Sequence, residues 1–422
     1  GMGRAMYVVV VFSFFSLLSS LFSLHTLNRT PAHSESHTHT HTHRYETSNT
    51  FKSILDQCCE VADKLLSDEN ISLKEIIFQE NINNKPHILQ PALFCVEYAY
   101  AMMLTQELNI EPSVLCGHSI GEYVAATLSG VFDWKDALHL IVKRGQATRR
   151  LAREGAMLSV RTTSTNQLSF LDSHKELCVA ARNAPGYLVL SGTPEHIEKT
   201  RKELENTKNV SAKLLKVNRA FHHKKEMKRV GEEIEDFVNK SMKTSRANIP
   251  IMSNVSGSRA NEDEIVKGSY WRDHMISTVR FEDNVRSIQK EHSKVTIFEV
   301  GPGHVLTTLW KKCSSKDFFS SIRTCRGPRD NEEITFHEIR AHCWCLLNTN
   351  VFDSDFSYAS FVSLPGYSFE PTSFWMNPDR SIYLRTNVMT KTIPTTSSHK
   401  HLVQLSIPKP SSTSHILFGF TF

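Results

Sequence analysis

The chain reads as an α/β protein: a large α/β-hydrolase-like domain built on a parallel sheet, with a smaller ferredoxin-like α+β unit inserted into it. Three observations carry that reading. First, Val114-Leu115-Cys116 runs into Gly117-His118-Ser119-Ile120-Gly121 and at once into helix-forming residues, the strand–turn–helix of a nucleophile elbow. Second, short apolar runs at 249–254, 295–300 and 321–323 alternate with helical segments, as strands of a parallel sheet do. Third, between Gly155 and Val217 the order becomes strand, helix, strand, strand, helix, strand, which is that of a ferredoxin-like unit.

Composition fits this class. With 40% apolar and 22% charged residues the chain can bury an ordinary globular core. Its 422 residues exceed the usual single domain, so one large domain with a smaller unit or flanks is expected. The formal charge of +5 suits anionic partners and does not argue for nucleic acid. Nine cysteines without framework spacing read as reduced thiols.

Residues 6–24 are an uncharged apolar run after Arg4, the pattern of a signal peptide or a barely long enough anchor. Asn28-Arg29-Thr30 would then be a glycosylation acceptor. The His-Thr alternation at 37–43 and the Phe/Ser/Leu mixture before it read rather as translated non-coding repeats, a metal-binding tag being the other reading of the His-Thr stretch. Apolar residues at helical spacing predict a helix over 50–66, and a short one follows at 73–78. Pro91 starts a helix reaching Leu108, with Gln90 at its cap. After the elbow, 134–151 is a helix that carries Arg144. In the inserted unit, 156–160, 179–181, 188–190 and 212–217 read as strands and 194–206 as a helix. A charged helix is expected over 222–236. Cys343-Trp344-Cys345 beside His337 and His342 has no common zinc spacing, so a helix burying Trp344 is preferred to a metal cluster.

In an elbow the two glycines let the backbone turn sharply, so Ser119 Oγ stands between a strand end and a helix N-terminus. The Ile120 N–H then faces the place where an oxyanion would develop. A serine hydroxyl is weak until a base takes its proton, so the site needs an imidazole.

Ser119, Arg144 in Leu140-Ile141-Val142-Lys143-Arg144-Gly145, and His222 in Val217-Asn218-Arg219-Ala220-Phe221-His222-His223 come in an informative order and spacing. They resemble the malonyl-CoA:acyl-carrier-protein acyltransferase family, in particular the acyltransferase domains of modular polyketide synthases. Further motifs carry the likeness from about Arg44 to Trp375: Gln90-Pro91-Ala92-Leu93-Phe94, Asn183-Ala184-Pro185, Tyr270-Trp271 with Val279-Arg280-Phe281, and Phe298-Glu299-Val300-Gly301-Pro302-Gly303.

The resemblance implies a malonyl transfer from malonyl-CoA, through a Ser119 ester, to the phosphopantetheine thiol of an acyl carrier protein. His222 is then the base, its imidazole oriented by a backbone carbonyl, and His223 is the rival. Arg144 would hold the free carboxylate, since a guanidinium gives two parallel charge-assisted bonds that lysine cannot. Phe221 would wall the pocket where a C2 methyl would sit, favouring malonyl, although Arg219 stands where such domains often have histidine. Gln90, His118 and Asn183 would line the substrate site. Glu122 reads as helix-terminus stabilisation. No permanent cofactor and no metal are implied; ketosynthase and other synthase domains are further partners, in the cytoplasm unless 6–24 is a genuine signal or anchor.

On this reading 45–154 and 219–326 form the large subdomain, 155–218 the small one, and 327–378 a post-acyltransferase linker ending in Leu364-Pro365-Gly366-Tyr367 and Phe374-Trp375. Residues 379–422, rich in Ser, Thr, Lys and Pro, are expected to be disordered or an artefact. Residues 1–44 are foreign to the family, whose first strand ends in a Gly-Gln-Gly that supplies the second oxyanion donor and that this segment lacks. Two other functions follow from the same residues: a neutral-ester hydrolase using the same elbow, and an inactive acyltransferase lacking that first strand.

Overall fold

A computed structural model of the chain describes residues 7–12, 44–78, 85–163, 174–205, 207–301, 305–314, 319–324, 332–347, 400–409 and 412–421. They fall into two compact units, Gly1–Val351 and Phe352–Phe422.

The first unit is built on a five-stranded sheet whose neighbouring strands are all parallel. Its order is β7 (Ile251–Met252), β2 (Val114–Gly117), β1 (Tyr7–Phe12), β8 (Val295–Val300), β9 (Phe319–Arg323). The middle strand corrects the sequence expectation. Tyr7–Phe12 belongs to the folded domain: Val9 pairs with Val114 on one side and Ile297 on the other, and Val8 to Phe12 are buried. A parallel strand covered on both faces is apolar without alternation, which is also the composition of a signal peptide's core. The pattern alone cannot separate the two; the pairing does. Residues 13–43, with the His-Thr stretch and the glycosylation acceptor, lie outside the described residues.

The helices pack around this sheet. Ser48 Oγ caps α1 (Asn49–Leu65) by accepting from Phe51 N at 3.1 Å. After α2 (Leu73–Phe78) comes α3 (Pro86–Met102), extended by a π-turn at Met103–Glu107. Among the described residues only Pro86–Glu107 is long and apolar enough to cross a membrane, and 89% of that window is buried inside the protein. Pro86 takes the first-turn position expected for Pro91, so Gln90 is not a cap but a buried interior residue, with Pro91 inside the helix.

The elbow leads into α4 (Gly121–Leu128), and α5 (Trp134–Leu151) follows, with Asp133 accepting from Lys135 N at 2.9 Å. Gly145 allows α5 to lie against α3: a Cβ there would stand 2.5 Å from His87 Cα. That contact sets Arg144 beside Gln90.

The inserted unit is an antiparallel sheet of β3 (Ala156–Thr162), β4 (Cys178–Ala184), β5 (Tyr187–Gly192) and β6 (Val210–Leu214), in the order β4-β5-β3-β6. With α6 (Pro194–Glu205) between β5 and β6, this matches the expected ferredoxin-like order; 164–173 lie outside the described residues. The unit is stitched to the large subdomain along a short parallel bridge. Arg182 N donates to Val279 O and Val279 N to Ala180 O, both at 2.9 Å.

The charged helix begins later than the sequence suggests, as α7 (Lys228–Ser241), because the chain turns at His222 (φ 57°). The large subdomain continues through α8 (Glu262–Ile265), α9 (Gly268–Ile276), α10 (Phe281–Glu291) and α11 (Val305–Cys313). In α12 (Glu332–Leu347) the expected packing is reversed: Cys343 is buried and Trp344 is half exposed. The linker signature at 364–375 lies outside the described residues. In the second unit β10 (Lys400–Lys409) and β11 (Ser412–Thr421) pair antiparallel, correcting the expectation of a structureless tail. The alternation Leu402-Val403-Gln404-Leu405-Ser406-Ile407 is short enough to be missed between Ser/Thr-rich flanks.

Placing β1 at the sheet centre is testable with Val10→Asp. An unpaired carboxylate between β2 and β8 should cost several kcal/mol, abolishing cooperative thermal unfolding followed by circular dichroism. An unchanged melting curve would show that another segment fills the position.

Candidate active site

Ser119 sits at the turn from β2 into α4 with φ 54°, a left-handed value uncommon for a residue bearing a Cβ. What tolerates it is close packing behind the turn. A Cβ on Gly121 would lie 2.6 Å from Phe12 O, and His118 N donates to that same carbonyl at 3.0 Å. The end of β1 therefore forms the back of the elbow.

His222 meets Ser119 from the chain that leaves the small subdomain. Its Nε2 lies 2.8 Å from Ser119 Oγ and its Nδ1 3.1 Å from Ser277 O. A carbonyl only accepts, so Nδ1 carries the hydrogen and Nε2 offers its lone pair to the serine hydroxyl. Burial first, and then the neighbouring Arg144 guanidinium among other nearby groups, hold His222 well below the usual histidine value, so it is a neutral base at pH 7. Both members of the pair have left-handed backbone, a concentration of strain typical of functional sites. His223 faces elsewhere: its Nε2 is 3.2 Å from Glu176 O and its Nδ1 accepts from Glu226 N.

Arg144 is 1% exposed and its charge is held by neutral groups. Nη1 donates to Gln90 Oε1 at 2.6 Å, Nε to Met275 Sδ at 2.9 Å, and the guanidinium lies over the Tyr123 ring, 5.6 Å from its centroid. Among the described residues no carboxylate stands within 4.0 Å of it, whereas Arg149, Arg150 and Arg272 pair with Glu69, Glu233 and Glu235. Burial lowers it from the usual arginine value, yet a guanidinium stays charged. Gln90 Nε2 is buried without a partner beside it.

His118, expected to line the substrate site, is fully buried and donates through Nε2 to Asn183 Oδ1 at 2.8 Å. Burial pushes its imidazole down to about 4. The pair joins the elbow to β4, so the two residues are brought together as a brace. Phe221 is buried in the same core cluster as Met275. Ile120 opens α4, where the helix N-terminus adds positive potential at its amide. Arg219 Nη1 donates to Asn218 O at 2.9 Å.

Below the elbow, Ser253, Asn254 and His274, none of them marked by a sequence signal, join Glu122 and Tyr270. Glu122, fully buried, accepts from Asn254 N at 2.8 Å, from Asn254 Nδ2, and from the Tyr270 hydroxyl. The Tyr270 oxygen in turn accepts from Ser253 Oγ at 2.7 Å. Asn254 Nδ2 also reaches Gly117 O at 2.8 Å, and Asn254 Oδ1 accepts from Ser119 N at 3.4 Å. His274 Nε2 lies 3.6 Å from Glu122 Oε2, with its ring 6.0 Å from that of His222. Glu122 is thus the anchor of a buried network, more than a helix-end charge.

This arrangement suits acyl transfer: a serine beside a neutral imidazole, and a buried cation with no carboxylate partner among the described residues. A family model described as an acyl transferase domain matches residues 42–326. The chain belongs to that family. Among its relatives is the polyketide biosynthesis malonyl CoA-acyl carrier protein transacylase BaeC of Bacillus velezensis, 32% identical over 61% of this chain and 89% of the relative. A phenolphthiocerol/phthiocerol polyketide synthase of Mycobacterium tuberculosis is 27% identical over 80% of this chain. The chain spans about a fifth of that synthase's length, 22%. In fold it resembles the acyl transferase domain of ZmaA (TM-score 0.68, 23% identity, 86% of this chain and 80% of that one). It also resembles the malonyl CoA-acyl carrier protein transacylase of Clostridium perfringens (TM-score 0.63, 22% identity, 79% and 98%). The acyltransferase reading holds over the ester-hydrolase one, and the relatives are polyketide synthases and malonyl CoA-acyl carrier protein transacylases.

Two measurements follow from the geometry. Neutral His222 must persist to lower pH than an ordinary histidine, because its folded value is depressed. Ser119 acylation should therefore stay flat as pH falls from 8 to about 6.5 and decline only below, in single-turnover kinetics; an inflection near or above 6.5 would contradict the assignment. Asn254→Ala, which leaves Glu122 and Gly117 O short of donors, should lose about 2–3 kcal/mol of stability in urea unfolding.

Proposed function

We propose that the chain transfers a malonyl group from malonyl-CoA to the phosphopantetheine thiol of an acyl carrier protein. The observation that carries this is Arg144: a buried cation with only neutral partners is costly to keep unless an anion completes the site, and a malonyl group supplies a carboxylate. Ser119 Oγ gives its proton to His222 Nε2 and bonds to the thioester carbonyl carbon. The oxyanion that forms faces the α4 N-terminus and the Ile120 amide. Collapse breaks the C–S bond, and His222 returns the proton to the departing CoA sulfur. The carrier thiol then enters by the same route in reverse: its proton goes to His222, its sulfur takes the acyl carbon, and Ser119 regains its hydrogen. Ser277 O stabilises the imidazolium that exists at each stage. Phe221 and Ile120 narrow the space at C2, and one methyl is worth about 1–3 kcal/mol there, a preference for malonyl over methylmalonyl.

Incubation with malonyl-CoA should give a malonyl adduct by intact mass, absent in Ser119→Ala. Arg144→Ala should retain acylation by acetyl-CoA while losing malonyl acylation by about tenfold or more. A folded protein that forms no adduct, or one that hydrolyses neutral esters faster than it takes malonyl, would overturn the proposal.

A further inference from the structure

Arg144 reaches its place at the end of a flexible four-bond side chain, and α5 alone does not determine where its fork points. Three neutral contacts do. Gln90 on α3 takes Nη1, the Tyr123 face supports the guanidinium plane, and Met275, the penultimate residue of α9, takes the Nε hydrogen at 2.9 Å. Met275 is 1% exposed. With Nε turned onto the thioether, the edge left for a ligand is the one formed by the two terminal nitrogens. Had the thioether been absent, Nε and one terminal nitrogen would compete as the bidentate edge, and the carboxylate would sit rotated relative to Ser119.

A sulfur acceptor fits this task physically. It is polarisable and weak, so it orients the N–H without drawing charge away from the cation as a carboxylate would. The neighbouring residue shows the contrast: His274, next to Met275, faces the Glu122 carboxylate at 3.6 Å and not the arginine. Tyr123 stands between these two environments, with the His274 edge on its ring at 5.2 Å and Arg144 over its face. The last turn of α9 thus serves the acid of the elbow with one side chain and the cation of the pocket with the next.

We propose that Met275 is a positioning residue for acyl selection, its thioether fixing which edge of Arg144 faces a carboxylated acyl group. This rests on the reading of Arg144 as the carboxylate clamp. The test is single-turnover acylation by malonyl-CoA and by acetyl-CoA in the full chain, for Met275→Leu, Met275→Gln and Arg144→Ala, with melting temperatures alongside. Leucine keeps the volume and removes the acceptor; glutamine keeps the length and offers an amide oxygen. Met275→Leu is expected to raise the half-saturating malonyl-CoA concentration about three- to tenfold and leave the maximal rate and the acetyl reaction alone. Met275→Gln is expected to restore most of the loss. A Leu variant with wild-type malonyl saturation, or one that weakens malonyl and acetyl alike, overturns the proposal by showing packing alone. A Gln variant no better than Leu does the same. If instead Arg144→Ala keeps the wild-type malonyl-to-acetyl ratio, the clamp itself is wrong and Met275 falls with it, a result distinct from the others.

Discussion

The structure turns on a carboxylate that never meets solvent. Glu122 is fully buried in the first turn of α4, and such a group is tolerable only when donors surround it. Asn254 and Tyr270 supply them, and Asn254 at the same time holds Gly117 O and Ser119 N. The left-handed backbone of Ser119 is therefore held from beneath by the end of β2 and by two segments distant in sequence, the loop after β7 and α9. Release any one and the turn loses the reason to stay strained. The macrodipole of α4 makes the choice of an acid natural, since its N-terminus favours negative charge.

The second constraint is the middle strand. β1 pairs on both sides, and its last carbonyl caps the turn by accepting from His118 N. Here the sequence was ambiguous for a physical reason. Burial on both faces removes the polar alternation that would have marked a strand, leaving a run indistinguishable from a signal core. The family model begins at residue 42, so the strand is supplied by a stretch the family pattern does not cover.

Legibility followed sequence distance. The elbow could be read because Gly117, Ser119 and Gly121 are local and their chemistry is tied to a turn. His222 and Arg144 were reachable through resemblance, and the geometry pairs one with Ser119 and seats the other in a neutral cage. Of the two readings of Gln90, the cap fails because Pro86 takes the helix start, while the place beside Arg144 is the one expected of a substrate-site residue. Asn254, His274 and Met275 carried no local signal at all. Each is an unremarkable residue until tertiary packing sets it against a partner more than a hundred positions away.

The bridge between β4 and Val279 carries one more implication. Ser119 belongs to the large subdomain, while His222 arrives on the segment leaving the small one, and Ser277, two residues before the bridge, aligns its ring. The Ser119–His222 contact therefore depends on how the chain leaving the small subdomain is held where the two subdomains meet. On the proposed reading of Ser119 and His222 as nucleophile and base, acylation would be a property of the joint, and a ligand contacting both subdomains would alter it without touching the substrate.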